Sequence, residues 1–184
     1  MYPLSAPYYL NPSEFFYYPS PQNHFWNRME NIFPDWKLKR TKSSNNSSTL
    51  AENIEKKKEF CALYKIGFLD VFEAVDRKRK GSRDVDLIPV IDIVGSGTLF
   101  EVLEKHSSIN SICCTYSLAY SILRTKLDSK QIEALPHDET ANGESLKWKY
   151  NGRVITIFLL FPATRSGQKN FIKDRQYSNL IFGI

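Results

Sequence analysis

Apolar side chains at Phe25, Trp26, Met29, Ile32 and Phe33 recur at the helical period and predict a helix over residues 21–33 with one buried face. Ser20 suits the N-cap and Pro21 the first helical position, where a missing N–H costs nothing. Residues 1–15 carry no such period and are interrupted by Pro3, Pro7 and Pro12, so they read as an irregular, aromatic-rich segment. Residues 41–48 are polar and read as a loop. Thr49 and Glu52 have capping-box spacing and open a charged helix running to Tyr64, with Gly67 as its stop. Residues 84–89 read as a loop, although the apolar run that continues through Val94 fits a short strand equally well. Thr98 and Glu101 form a second capping box ahead of Leu99, Phe100, Val102 and Leu103, a helix ending near His106.

The second half of the chain reads differently. Residues 111–115 are short, apolar and β-compatible, and a helix over 116–126 follows at once, the strand-then-helix unit of a parallel sheet. Residues 128–144 are polar and loop-like. Asn151-Gly152 separates two alternating runs, 146–150 and 153–160, which signals a hairpin or a tight turn. The run Val154-Ile155-Thr156-Ile157-Phe158-Leu159-Leu160 is apolar enough for a central strand buried on both faces.

Composition narrows the class. A chain of 184 residues that is 42% hydrophobic and 14% aromatic sustains a full core, and one domain over 1–184 is expected. Cys61, Cys113 and Cys114 are an odd set without C-x-x-C spacing, so neither a disulfide framework nor a metal site is expected, and a reducing, cytoplasmic setting fits. No apolar stretch approaches the ~18 residues of a membrane span, so no membrane partner is expected. The net charge of +5 is unevenly spread: residues 36–83 hold thirteen Lys/Arg against six Asp/Glu. Two clusters, 37–42 and 77–83, fit a phosphate backbone or a solvated loop surface.

Candidate chemistry gathers at one place. Gln22, Asn23 and His24 fall in the first turn of the predicted helix, where N–H groups point outward and the helix dipole is positive. Phe16, Tyr17 and Tyr18 stand just ahead of them. The result is polar chemistry beside an aromatic wall.

An aromatic pair ahead of Ser20-Pro21-Gln22-Asn23-His24-Phe25-Trp26 resembles the segment after the first motif of the uracil-DNA glycosylase superfamily, above all its mismatch-specific and hypoxanthine-type branches. Ile66-Gly67-Phe68-Leu69-Asp70-Val71-Phe72 is similar to a Gly-Ile-x-Leu-Trp-Asp-Val segment of the hypoxanthine-type branch, in the right order. Leu160-Phe161-Pro162-Ala163-Thr164-Arg165-Ser166-Gly167 resembles the second signature, a buried strand running into Leu-Pro-Ser-x-Ser-Pro, with Pro162 as the matching letter. Of the first motif, a strand ending in a Gly-Ser-Met-Pro-Gly or Gly-Thr-x-x-Pro loop, only Met1-Tyr2-Pro3 parallels the tail, so the expectation is a chain that starts inside that motif.

The resemblance implies a three-layer α/β/α sandwich with a short, mainly parallel central sheet. It also implies a monofunctional N-glycosylase without metal or organic cofactor, acting as a monomer on DNA that carries a deaminated or mispaired base, uracil or hypoxanthine. Such an enzyme flips the nucleotide into its pocket. Phe16, Tyr17 or Tyr18 would stack on the base, Asn23 would read its edge or place a water, and His24 would donate to a base oxygen. Thr164, Arg165 and Ser166 would bond backbone phosphate. Asp70 fits a loop-fixing role better than that of a base, and Cys113-Cys114 fits strand core. The alternative implied by the eroded motifs is a catalytically inactive relative that binds nucleic acid or protein.

Overall fold

The computed structural model describes residues 24–39, 47–77, 87–135, 144–163 and 168–184. Among the described residues five α-helices, α1 (His24–Ile32), α2 (Ser47–Leu63), α3 (Thr98–Lys105), α4 (Ser117–Lys126) and α5 (Asn170–Tyr177), accompany six strands. The strands are β1 (Phe72–Arg77), β2 (Leu87–Asp92), β3 (Ser111–Cys114), β4 (Ile132–Ala134), β5 (Ser145–Tyr150) and β6 (Arg153–Leu159). The chain is α/β. Its main sheet has the order β3-β6-β5-β4, and β1 and β2 pair antiparallel as a separate ribbon.

The sheet is mixed, which corrects the expectation of a mainly parallel one. Only β3 and β6 run parallel, with Ser111 opposite Thr156 and Cys114 opposite Leu159. β5 pairs antiparallel with β6, and β4 antiparallel with β5. The reason is local: Asn151 (φ 46°) and Gly152 (φ 77°) both take positive φ, a two-residue reversal whose twist matches the flanking strands and which can only join antiparallel neighbours. β4 lies inside the stretch read as loop. Its three residues find partners because β5 offers an edge, with Ile132 opposite Trp148.

Alternation along β6 sends side chains to two clusters. Ile155 and Ile157 join Leu99, Leu103, Leu123, Leu146 and Trp148, the cluster under α3 and α4. Phe158 and Leu160 turn toward Phe25, Trp26, Met29, Phe60 and Tyr177, the cluster under α1, α2 and α5. β6 is not buried on both faces along its whole length, since Val154 at its start is 48% exposed. The second cluster is unusually aromatic: the fully buried Phe60 ring lies 4.6 Å from Tyr64, 5.3 Å from Trp36 and 5.5 Å from Phe33.

Helix ends depart from the capping signals. α2 begins at Ser47, two residues before Thr49, so Thr49 is not its cap. It stops through Lys65 in the left-handed region (φ 55°), with the Ile66 N–H donating to the Cys61 carbonyl at 2.8 Å, rather than through Gly67. α3 starts after Gly97 (φ 89°), so Thr98 is its first residue and not its cap, and the Thr98 N–H donates to Ser96 Oγ at 3.3 Å. Its C-terminal end is gathered by Arg153 at the start of β6. Arg153 Nη1 donates to the Ser107 carbonyl at 2.5 Å, and Nη2 donates to the Leu103 carbonyl. At the other side of the same cluster Asp92, the last residue of β2, is 6% exposed and ties the ribbon to the body through Lys126 of α4.

Candidate functional site

The described parts of the three segments that carry the sequence resemblance, Phe25-Trp26, residues 66–72 and Leu160–Ala163, are distant in the chain and meet in space. Phe25, in the first turn of α1, lies edge-on to Phe68 with ring centroids 5.4 Å apart and planes at 85°. It also lies 6.2 Å from the ring of Tyr177, the last residue of α5. The Tyr177 hydroxyl donates to the Phe161 carbonyl at 2.9 Å, and Gln176 Oε1 accepts the Phe161 N–H at 2.7 Å. Phe161 directly follows the buried Leu160 at the C-terminal end of β6. The start of α1, the 66–72 segment and the exit of β6 thus share one buried aromatic cluster.

His24 is the first residue of α1 and is half-buried, so it stands beside this convergence. Asp70 is half-buried in the 66–72 segment. Phe16, Tyr17, Tyr18, Asn23, Thr164, Arg165 and Ser166 lie outside the described residues. His24 alone of the candidate site side chains is therefore seen in place.

A polar network that the sequence reading passed over holds the convergence together. Arg28 is 4% exposed although it occupies a helix of strong amphipathic pattern. Its Nη1 donates to Asp174 Oδ1 at 2.8 Å and to the Asn170 carbonyl at 3.3 Å, and its Nη2 donates to Asn170 Oδ1 at 2.8 Å. Asn31 Nδ2 donates to Asp174 Oδ2 at 3.1 Å, and Lys39 Nζ donates to Asn31 Oδ1 at 3.2 Å. A signal for this was present: Arg28 sits three residues after Phe25 and four before Ile32, on the apolar face, where a charge persists only with partners.

Two further cations are buried in the same region. Lys57 of α2 places its Nζ 5.1 Å from the centre of the Trp26 ring, a cation–π contact. Lys173 of α5 is fully buried. Burial pushes its ammonium below the ordinary lysine range, the Arg28 cation adds to the fall, and the Asp174 carboxylate opposes it. Among the described residues no group of three His, Cys, Asp or Glu side chains is arranged to hold a metal ion, and no helix is long and apolar enough to cross a membrane.

No family model matches this chain, and neither does any curated protein or solved structure.

Proposed function

We propose that the chain is a monofunctional DNA glycosylase of the uracil-DNA glycosylase type, which removes a deaminated or mispaired base, uracil or hypoxanthine. One observation carries the reading. Segments around residues 25, 68 and 161, each resembling a different part of that superfamily, come together at the C-terminal end of β6 through Phe25, Phe68, Tyr177 and Phe161. The two side-chain clusters on opposite sides of β6 favour helices on both faces of the sheet, a three-layer arrangement.

The chemistry follows from the residues assigned. A base inside duplex DNA is out of reach and must be flipped out, at a cost of a few kcal/mol. Phe16, Tyr17 or Tyr18 stacks on it, and the basic character of residues 36–83 offsets the phosphate charge. Asn23 holds a water against C1′ of the sugar. The water oxygen bonds to C1′ as the C1′–N bond breaks, the bonding pair leaves on the base as an anion, and the water's proton ends on that base. His24, as a neutral N–H donor, stabilises the charge building on the base oxygen, and Thr164, Arg165 and Ser166 hold the phosphates. The protein works as a monomer in the cytoplasm, and the three free thiols fit that reducing setting.

The second reading, a catalytically inactive binding module of the same descent, is favoured by the mixed sheet, which departs from the parallel one that the resemblance implies. Single-turnover excision on oligonucleotides carrying one uracil or one hypoxanthine, in single strands and in mismatches, separates the two. Abasic product that Asn23→Ala abolishes, with binding retained, supports the enzyme. Salt-sensitive binding without product supports the module as a nucleic-acid binder, and neither binding nor product refutes the enzyme.

A further inference from the structure

α5 is fully partnered on one side and bare on the other. On its inner side Lys173, Gln176 and Tyr177 are buried, and the last two bond the Phe161 main chain. Asn170 and Asp174 are taken by Arg28, each at 2.8 Å. On the outer side Phe171 is 66% exposed, and among the described residues it is the only exposed aromatic. Arg175 follows it at the i,i+4 spacing that places two side chains on one helix face, about 6 Å apart along the axis. Arg175 is exposed, as is Lys169 just before the helix, and neither makes an ion pair with another described residue.

A lone exposed apolar side chain is ordinary on a protein surface; an aromatic ring flanked by two unpaired cations on a rigidly held helix is a narrower pattern. Two features indicate its partner. The face is cationic, because Asp174 is the only carboxylate of α5 and is spent on Arg28 and Asn31, which leaves Arg175 and Lys169 uncompensated. Its apolar part is a single ring and not a patch, since Ile172 beside it is half-buried. A protein docking face needs a wider apolar area, whereas one flat ring between cations matches a base between phosphates. We propose that the outer face of α5 is a contact for a nucleic-acid strand, in which Phe171 stacks on an unpaired base and Arg175 and Lys169 take the neighbouring phosphates. This contact deepens the reading above, on which its choice of partner rests, and serves the enzyme and the binding module alike.

Fluorescence anisotropy of the full chain with a labelled single-stranded DNA oligonucleotide, and with the same strand in a fully paired duplex, tests it. Phe171→Ala should weaken single-strand binding about 10-fold, the loss expected for one base–aromatic stack, and duplex binding by less. Phe171→Trp, which keeps a flat ring, should bind as the wild type does. Arg175→Gln should lower the slope of log affinity against log salt by about 0.7, the value for one phosphate of a single strand. Both side chains are exposed, so urea midpoints should match wild type and the variants report on binding and not on folding. Wild-type affinity in folded Phe171→Ala overturns the inference. So does a wild-type chain that binds no DNA, or a Phe171→Ala effect confined to self-association in sedimentation. Single-turnover excision by the wild type, run alongside, tests the glycosylase reading separately. Product with binding that ignores Phe171 leaves that reading standing and removes the contact; Phe171-dependent binding without product does the reverse.

Discussion

Arg153→Met should destabilise the protein by about 3 kcal/mol, far more than a half-buried residue at the start of a strand usually costs. The methionine keeps the length and apolar stem of the arginine, so what it removes is the guanidinium. That group donates to the carbonyls of Ser107 at 2.5 Å and of Leu103, while the His106 and Ile109 carbonyls lie at 3.5 Å and contribute little. Two good bonds from a charged donor are worth roughly 1.5–3 kcal/mol each; the freed carbonyls near the surface recover water, so the lower end applies to both. A cation at the C-terminal end of α3 adds roughly 0.3–1 kcal/mol through the helix dipole. The sum is roughly 3.3–4 kcal/mol, so about 3 kcal/mol is its lower bound. Urea unfolding followed by tryptophan fluorescence measures it directly, and with a slope of about 2 kcal/mol per molar the midpoint should fall by about 1.5 M. Arg153→Lys, with one ammonium in place of a fork, should lose about half as much. A midpoint shift under 0.5 M (roughly 1 kcal/mol by the same slope) at unchanged slope would mean that the carbonyls at the end of α3 do not depend on Arg153, and would refute the reasoning.

Two further predictions follow from other charged and polarisable groups. Burial pushes the Asp92 carboxyl up, but its bond from Lys126, the N–H groups of Gly95 (2.9 Å) and Val94 (3.1 Å), and the attraction of the Lys126 cation bring it below its ordinary 3.8. A lowered folded value contributes stability above about pH 4 and loses it as pH falls through that value; Asp92→Asn should therefore cost about 1 kcal/mol at pH 7, with the gap to wild type narrowing below pH 4, and a gap that is the same at pH 3 and pH 7 would contradict this. Cys61, Cys113 and Cys114 are each pushed up to about 12 by burial, so a thiol reagent at pH 8 should label none of them in the folded protein within minutes and all three in urea, and rapid labelling of the native chain would show that these thiols are accessible.

How far the sequence could be read depended on whether a signal was local. The β5–β6 hairpin was fully legible, because Asn151-Gly152 is a reversal that needs only its own two residues. β3 and α4 were legible for the same reason, as an apolar run of four followed at once by a helical period. β4 was not, since three polar-flanked residues become a strand only because the edge of β5 is there to pair with. The orientation of the sheet was misjudged by following the resemblance when the hairpin itself already demanded an antiparallel pair. At the candidate site the aromatic positions Phe25 and Trp26 announced themselves by spacing. Arg28, Gln176 and Tyr177 did not, because their partners, Asp174 and Phe161, are brought to them only by the fold. The residues assigned to base and phosphate, apart from His24, lie outside the described residues.

The single parallel pair in the sheet bears on how the chain assembles. β5 and β6 are joined by two residues and can zip within microseconds of collapse, whereas β3 reaches β6 only after α4, β4 and the intervening connections have been drawn in. Closing that long loop costs entropy that no contact repays until Cys114 and Leu159 lie side by side. The hairpin is thus the natural nucleus and β3 the late arrival. The two side-chain clusters lie on opposite sides of β6 and each takes a residue of β3, Cys114 in one and Cys113 in the other, so neither is complete until β3 docks.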